Sequence, residues 1–156
     1  MKAHFKCVGL LGKSEDRNVS MTLRALATYL QQQKIGILLD ESIAGIFTEP
    51  PCKVVGRESL ADSCELAIVV GGDGTLLNAA RSLAEHGIAV LGVNLGRLGF
   101  LVDVSPEDMT RQLELILGGD FIEEERTLLH AAVTRNDDLL SETSALNDVV
   151  DRKSVV

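Results

Sequence analysis

Long apolar runs are missing from this chain. None approaches the ~20 residues that a membrane-crossing helix needs, and the opening Met1-Lys2-Ala3-His4-Phe5-Lys6-Cys7 lacks the charged-then-apolar layout of a secretion signal. A soluble, cytoplasmic protein is expected. Cysteine is scarce as well: Cys7, Cys52 and Cys64 are odd in number, widely spaced and without a C-x-x-C, which argues against a disulfide framework and against a zinc site. Cys64 has no basic neighbour in sequence to mark it as reactive. Bases are outnumbered, 15 Lys and Arg against 23 Asp and Glu, and the formal charge of −8 repels nucleic acid, anionic membranes and, at long range, phosphorylated ligands. No nucleic-acid or membrane partner is expected. A phosphate ligand would need local help, from backbone N–H groups or a divalent cation.

What is present suits a compact domain, or one domain and part of another: 156 residues, 46% of them apolar and 24% charged. A chain of that length buries roughly two thirds of its unfolded surface and needs no covalent staple. Residues 5–11, 35–39, 66–70 and 88–93 are short and too uniformly apolar for half-exposed strands, so they read as strands of a sheet covered on both faces. Between them, Leu23, Leu26, Ala27 and Leu30 make one helical stripe, and Leu76, Ala79, Ala80, Leu83 and Ala84 another. A third helix is predicted from Ser105 as N-cap, Pro106 at the first helical position, Asp108 as a capping-box acid, buried Met109, Leu113, Ile116 and Leu117, and the Gly118-Gly119 stop. This alternation predicts an α/β fold, doubly wound around a mostly parallel sheet. Residues 40–57, with Pro50 and Pro51, read as a long loop.

Past Asp120 the pattern changes. Residues 127–134 and 145–150, with the polar 135–144 between them, read as a β-hairpin that begins a second, β-rich unit. The expected division is an α/β nucleotide-phosphate-binding domain over 1–124 and the start of a β-rich domain over 125–156, cut short where the apolar pattern is still running.

The sharpest chemical signal is Gly71-Gly72-Asp73-Gly74-Thr75, lying between the apolar 66–70 and the stripe that starts at Leu76. Glycines at a strand-to-helix turn permit positive φ and let an anion approach the backbone, and the N–H groups of the following helix point outward with the positive end of its dipole. A β-branched residue at Gly72 should therefore harm folding as well as binding. Thr75 can cap the helix or touch a phosphate. The Walker A lysine and the G-x-G-x-x-G spacing are both absent. In place of the lysine stands Asp73, suited to holding a divalent cation or taking a proton from an attacking hydroxyl. The same residues also admit a plain turn, with Asp73 as its polar member.

A second cluster, Gly92-Val93-Asn94-Leu95-Gly96-Arg97-Leu98-Gly99-Phe100-Leu101, follows the next predicted strand. Neighbouring parallel strands send their C-terminal loops to one edge, where ligands bind, so both clusters should face one crevice. Asn94 and Arg97 are the polar groups available there, and Phe100 can lie against a base or simply join the core. Gly12-Lys13-Ser14 is a weaker phosphate candidate. His4, His86 and His130 share no spacing that suggests a metal site or a triad. Asn147-Asp148 interrupts the apolar pattern at 145–150, and two adjacent polar residues there must be satisfied or functional.

Taken in order and spacing, the G-G-D-G-T element, the 92–101 cluster and the Asn147-Asp148 pair resemble the bacterial NAD kinase family over residues 5–150. G-G-D-G by itself is shared with lipid kinases and phosphofructokinases, whereas the second cluster differs from the lipid-kinase pattern. The resemblance implies transfer of the ATP γ-phosphoryl group to the 2′-hydroxyl of the NAD adenosine ribose. It implies Asp73 as proton acceptor or metal-linked acid, magnesium as the divalent cation, and Gly72, Gly74, Thr75 and Asn94 in the nucleotide site. Phe100 would lie near the adenosine, and Asn147 and Asp148 would hold NAD. A homo-oligomer is expected for the full-length protein, and this chain is expected to be inactive alone. Another kinase of the G-G-D-G group, acting on a lipid or sugar hydroxyl, and a non-catalytic nucleotide-binding module remain the alternatives.

Overall fold

The structure, a computed structural model, describes residues 4–13, 16–47, 52–95, 101, 104–105, 107–146 and 149. It separates into two compact units, Met1–Glu123 and Glu124–Val156. In the first, strands β1 (Cys7–Gly12), β2 (Gly36–Asp40), β3 (Lys53–Val55), β4 (Leu66–Gly71) and β5 (Ala89–Asn94) form a parallel sheet in the order β3-β2-β1-β4-β5. Helices α1 (Arg17–Gln32), α2 (Arg57–Ser63), α3 (Asp73–Leu83) and α4 (Met109–Leu117) cover it.

Period-two alternation within uniformly apolar strands explains the double winding. Val8, Leu10, Ile68 and Val70 face one layer with Leu23, Leu26 and Leu30 of α1 and Leu113 of α4. Leu11, Ala67 and Val69 face the other, with Leu60 of α2 and Leu76 and Leu83 of α3. On that second face α2 lies so close that a Cβ at Gly9 would fall 2.3 Å from Leu60 Cδ2. The α1 stripe is buried as expected, while the α3 stripe ends at Leu83, because Ala84 is exposed in a 3₁₀ turn (Ala84–His86). Among the described residues no helix is long and apolar enough to cross a membrane.

Three boundaries differ from the sequence reading. Residues 40–57 are not a long loop: a 3₁₀ helix (Glu41–Ile46) buries Ile43 and Ile46, β3 adds the edge strand, and α2 begins at Arg57. These pieces are too short to show a period. Helix α4 begins at Met109, with Asp108 as its N-cap; Ser105 Oγ accepts from the Asp108 N–H at 3.3 Å, and Pro106 lies outside the described residues. In the second unit β6 (Leu129–Arg135) pairs with β7 (Asp138–Ala145), which occupies the stretch read as the connection. Asn136 (φ 52°) and Asp137 (φ 67°) make the two-residue turn, a conformation these residue types tolerate. β7 escaped notice because most of it is exposed and polar, so no apolar alternation marks it.

At the C-terminal end of β2 the carboxylate of Asp40 is almost fully buried. Its Oδ2 accepts from Arg57 Nε at 2.7 Å and its Oδ1 accepts from the Ser42 N–H at 3.0 Å, while Arg57 Nη1 donates to Ser82 of α3 at 2.8 Å. Burial alone would raise this carboxyl, but the hydrogen bonds from Arg57 and Ser42 and the Arg57 charge outweigh it and hold the group below its ordinary 3.8. The stabilisation is therefore complete above that value and is lost as pH falls below it. Asp40→Asn should cost ~2–3 kcal/mol at neutral pH, by leaving Arg57 without its anion. In urea unfolding, the gap between parent and variant should hold from pH 7 to about 4 and close in more acid solution; a gap independent of pH would contradict the pair.

Candidate phosphate-binding site at the strand-to-helix loop

Every residue of β4 is buried, and the strand runs directly into α3. The turn is made at Gly71, whose φ of 157° is open almost only to glycine. A Cβ there would sit 2.7 Å from Thr75 Oγ1 and 2.9 Å from Thr75 Cβ, because the first turn of the helix folds back over the strand end. Gly72 is the N-cap in extended conformation (φ −96°), and its carbonyl accepts from Thr75 N–H at 3.0 Å and Leu76 N–H at 3.2 Å. The constraint foreseen for Gly72 thus belongs to Gly71. Thr75 is not the cap; it packs over Gly71 from inside the helix.

Gly72 and Gly74 are glycines for another reason. Among the described residues, a Cβ at either would meet nothing within 4 Å and no side chain caps the helix, so its first N–H groups carry no capping side chain there. Asp73 is the first helical residue rather than a turn residue, which places a carboxylate at the positive end of the dipole. Its Oδ1 accepts from the Leu101 N–H at 3.3 Å. Leu101 closes the second glycine cluster, so the two clusters do meet. Parallel pairing sets Gly71 beside Asn94, which is buried and whose N–H donates to the Val104 carbonyl at 2.8 Å.

Gly72, Asp73, Gly74, Thr75 and Asn94 are therefore gathered at the C-terminal edge of the sheet. Phe100, Asn147 and Asp148 lie outside the described residues, as do Arg97 and Ser14. Lys13 follows Gly12 at the same edge, and the Gly12 carbonyl accepts from Ser42 Oγ at 3.3 Å. Asp40 and Arg57 belong to this edge too, and no motif pointed to them, since it is the pairing of β2 with β3 that brings them together. The histidines serve elsewhere: His4 makes edge contacts with Phe5 and Phe121, His86 lies 3.0 Å from Asp62, and His130 lies 3.0 Å from Glu142.

Chemically, the arrangement offers a helix N-terminus for an anion and one carboxylate beside it. Among the described residues no group of three or more His, Cys, Asp and Glu could hold a metal ion. A single carboxylate suits magnesium, which keeps waters and takes phosphate oxygens as its other ligands. Asp73 fits that role.

A family model described as ATP-NAD kinase N-terminal domain matches residues 8–121. The NAD kinase of Saccharophagus degradans is 46% identical over 148 residues, covering 95% of this chain and 50% of that protein. The NAD kinase of Azoarcus sp. is 44% identical over 154 residues, 98% of this chain and 52% of its own length. The chain thus spans about half the length of these curated relatives. Among solved structures, yeast NADH kinase complexed with NADH superposes with a TM-score of 0.76 over 91% of this chain and 47% of that one, at 19% identity, a likeness of fold.

Proposed function

Because this chain belongs to the ATP-NAD kinase family through its N-terminal domain, we propose that the whole protein transfers the γ-phosphoryl group of ATP to the 2′-hydroxyl of the NAD adenosine ribose, giving NADP. The observation that carries the reading is Asp73 at the start of α3, tied to Leu101 and flanked by Gly72 and Gly74, where a Cβ would meet nothing within 4 Å among the described residues. A ribose hydroxyl is a weak acid and a weak nucleophile, so it needs a base within reach and neutralised phosphates. Asp73 accepts the hydroxyl proton or, as a metal-linked acid, would hold the magnesium that supplies charge neutralisation on the phosphates. The N–H groups at the start of α3 bind phosphate oxygens, and the lack of side chains at Gly72 and Gly74 lets them approach. Thr75 and Asn94 supply polar groups at the same edge, Phe100 lies against the adenosine, and Asn147 with Asp148 holds the NAD ribose. The enzyme works in the cytoplasm as a homo-oligomer.

The test is acceptor choice. The whole protein, given ATP, magnesium and NAD, should form NADP in a coupled dehydrogenase assay and should leave a diacylglycerol unphosphorylated. Transfer to the lipid, or nucleotide binding with no transfer to either acceptor, would overturn the proposal.

A further inference from the structure

At the end of the sheet opposite the phosphate loop, the fold brings together two cysteines that sequence spacing keeps apart. Cys7 opens β1 and Cys64 closes α2, and their sulfurs lie 3.2 Å from one another. Their backbones are pinned. The Cys7 carbonyl accepts from the Glu65 N–H at 3.1 Å, the Glu65 carboxylate accepts from the Lys6 and Cys7 N–H groups, and the Cys64 N–H donates to the Leu60 carbonyl at 3.0 Å. Parallel pairing then continues from Val8 beside Leu66. At 3.2 Å the sulfurs are roughly 1.2 Å beyond the length of a disulfide bond.

We propose that Cys7 and Cys64 form a reversible thiol–disulfide pair that takes a small-molecule disulfide as its oxidant. Cys7 is half-buried and Cys64 buried, so Cys7 meets the oxidant first. Its sulfur attacks one sulfur of the small disulfide, whose S–S bond breaks; the departing thiolate takes up the Cys7 proton. Cys64 then attacks the Cys7 sulfur of the mixed disulfide and expels the second small thiol, which carries off the Cys64 proton. Two protein thiols are oxidised and one small disulfide is reduced to two thiols. Burial, and then the Cys7 sulfur beside it, push the Cys64 thiol up, while burial pushes Cys52 up to about 11. Both sites stay thiol unless an oxidant is supplied, in keeping with the free cysteines described here.

The experiment treats the whole protein with oxidised glutathione, removes the excess, and reads intact mass and a non-reduced peptide map. Expected are a loss of two hydrogens and a peptide joining Cys7 to Cys64, in the parent and in Cys52→Ser alike. In Cys64→Ser and Cys64→Ala, a glutathione adduct should stay on Cys7. The bond closes a loop across 57 positions of sequence. It should raise the melting temperature by roughly 10 °C, reversibly with dithiothreitol. A persistent adduct on Cys7 in the parent, a link to Cys52, or Cys7 and Cys64 both left as thiols would overturn the proposal. Should the Cys64 variants fail to fold, the map of parent and Cys52→Ser decides it.

Discussion

Asp73→Ala in the whole protein is expected to lower NADP formation at least ~10³-fold while the fold survives. The loss follows from position. Asp73 is the carboxylate at the start of α3, and in the proposed reaction it serves as proton acceptor or as ligand of the cation that would neutralise the phosphates, either of which needs its charge. Its contribution to stability is small by comparison. A carboxylate in the first helical turn is worth ~0.3–1 kcal/mol, and each hydrogen bond it accepts, that from Leu101 among them, adds about 1 kcal/mol. Asp73→Asn separates the two effects, because the amide oxygen still accepts from the Leu101 N–H while the charge is gone. It should melt within a few degrees of the parent and lose nearly as much activity as alanine. Turnover within tenfold of the parent in either variant would remove Asp73 from the chemistry and reduce it to a helix-start residue.

How much of this was legible in the sequence depends on how local each cause is. The strand, loop and helix around Gly71-Gly72-Asp73-Gly74 could be read because a strand buried on both faces is a continuous apolar run, and because glycines next to an acid are rare inside such a unit. The α1 stripe was plain for the same reason: sixteen residues give the helical period room to show. Short elements do not have that room, so the 3₁₀ helix and β3 read as loop, and α2 gives no signal of its own. β7 failed differently, since an exposed strand such as Asp138–Ala145 has no buried face to impose alternation. Tertiary pairings were invisible in principle. Asp40 meets Arg57 because β2 pairs with β3, and Cys7 meets Cys64 because β1 pairs with β4. Which of three glycines carries the unusual φ is likewise decided by what packs there, and that is Thr75.

Gly71 should accordingly be the glycine whose replacement unfolds the loop. An alanine Cβ would lie 2.7 Å from Thr75 Oγ1 and 2.9 Å from Thr75 Cβ, and both belong to a helix whose first turn is fastened to the Gly72 carbonyl. A φ of 157° adds backbone strain for any residue with a Cβ. Together these make Gly71→Ala cost about 3 kcal/mol or more, and Gly71→Val more than that. Trimming the neighbour in Gly71→Ala/Thr75→Ala removes the Oγ1 and Cγ2 contacts but leaves the Cβ contact and the φ strain, so rescue should be partial. Gly72→Ala and Gly74→Ala are the counterpart. Among the described residues nothing lies within 4 Å of a Cβ at either position, so the cap substitution should cost only ~1 kcal/mol, and the one inside the helix should be neutral or stabilising by up to about 1 kcal/mol. Their methyl groups nevertheless occupy the ground where phosphate must approach the N–H groups, and activity should fall in both. Urea unfolding and the NADP assay on the four single variants therefore ought to split them into two classes. The Gly71 pair should be unstable, and the Gly72 and Gly74 pair folded but impaired. Equal stability across all four would show that the contact between Gly71 and Thr75 does not shape the loop.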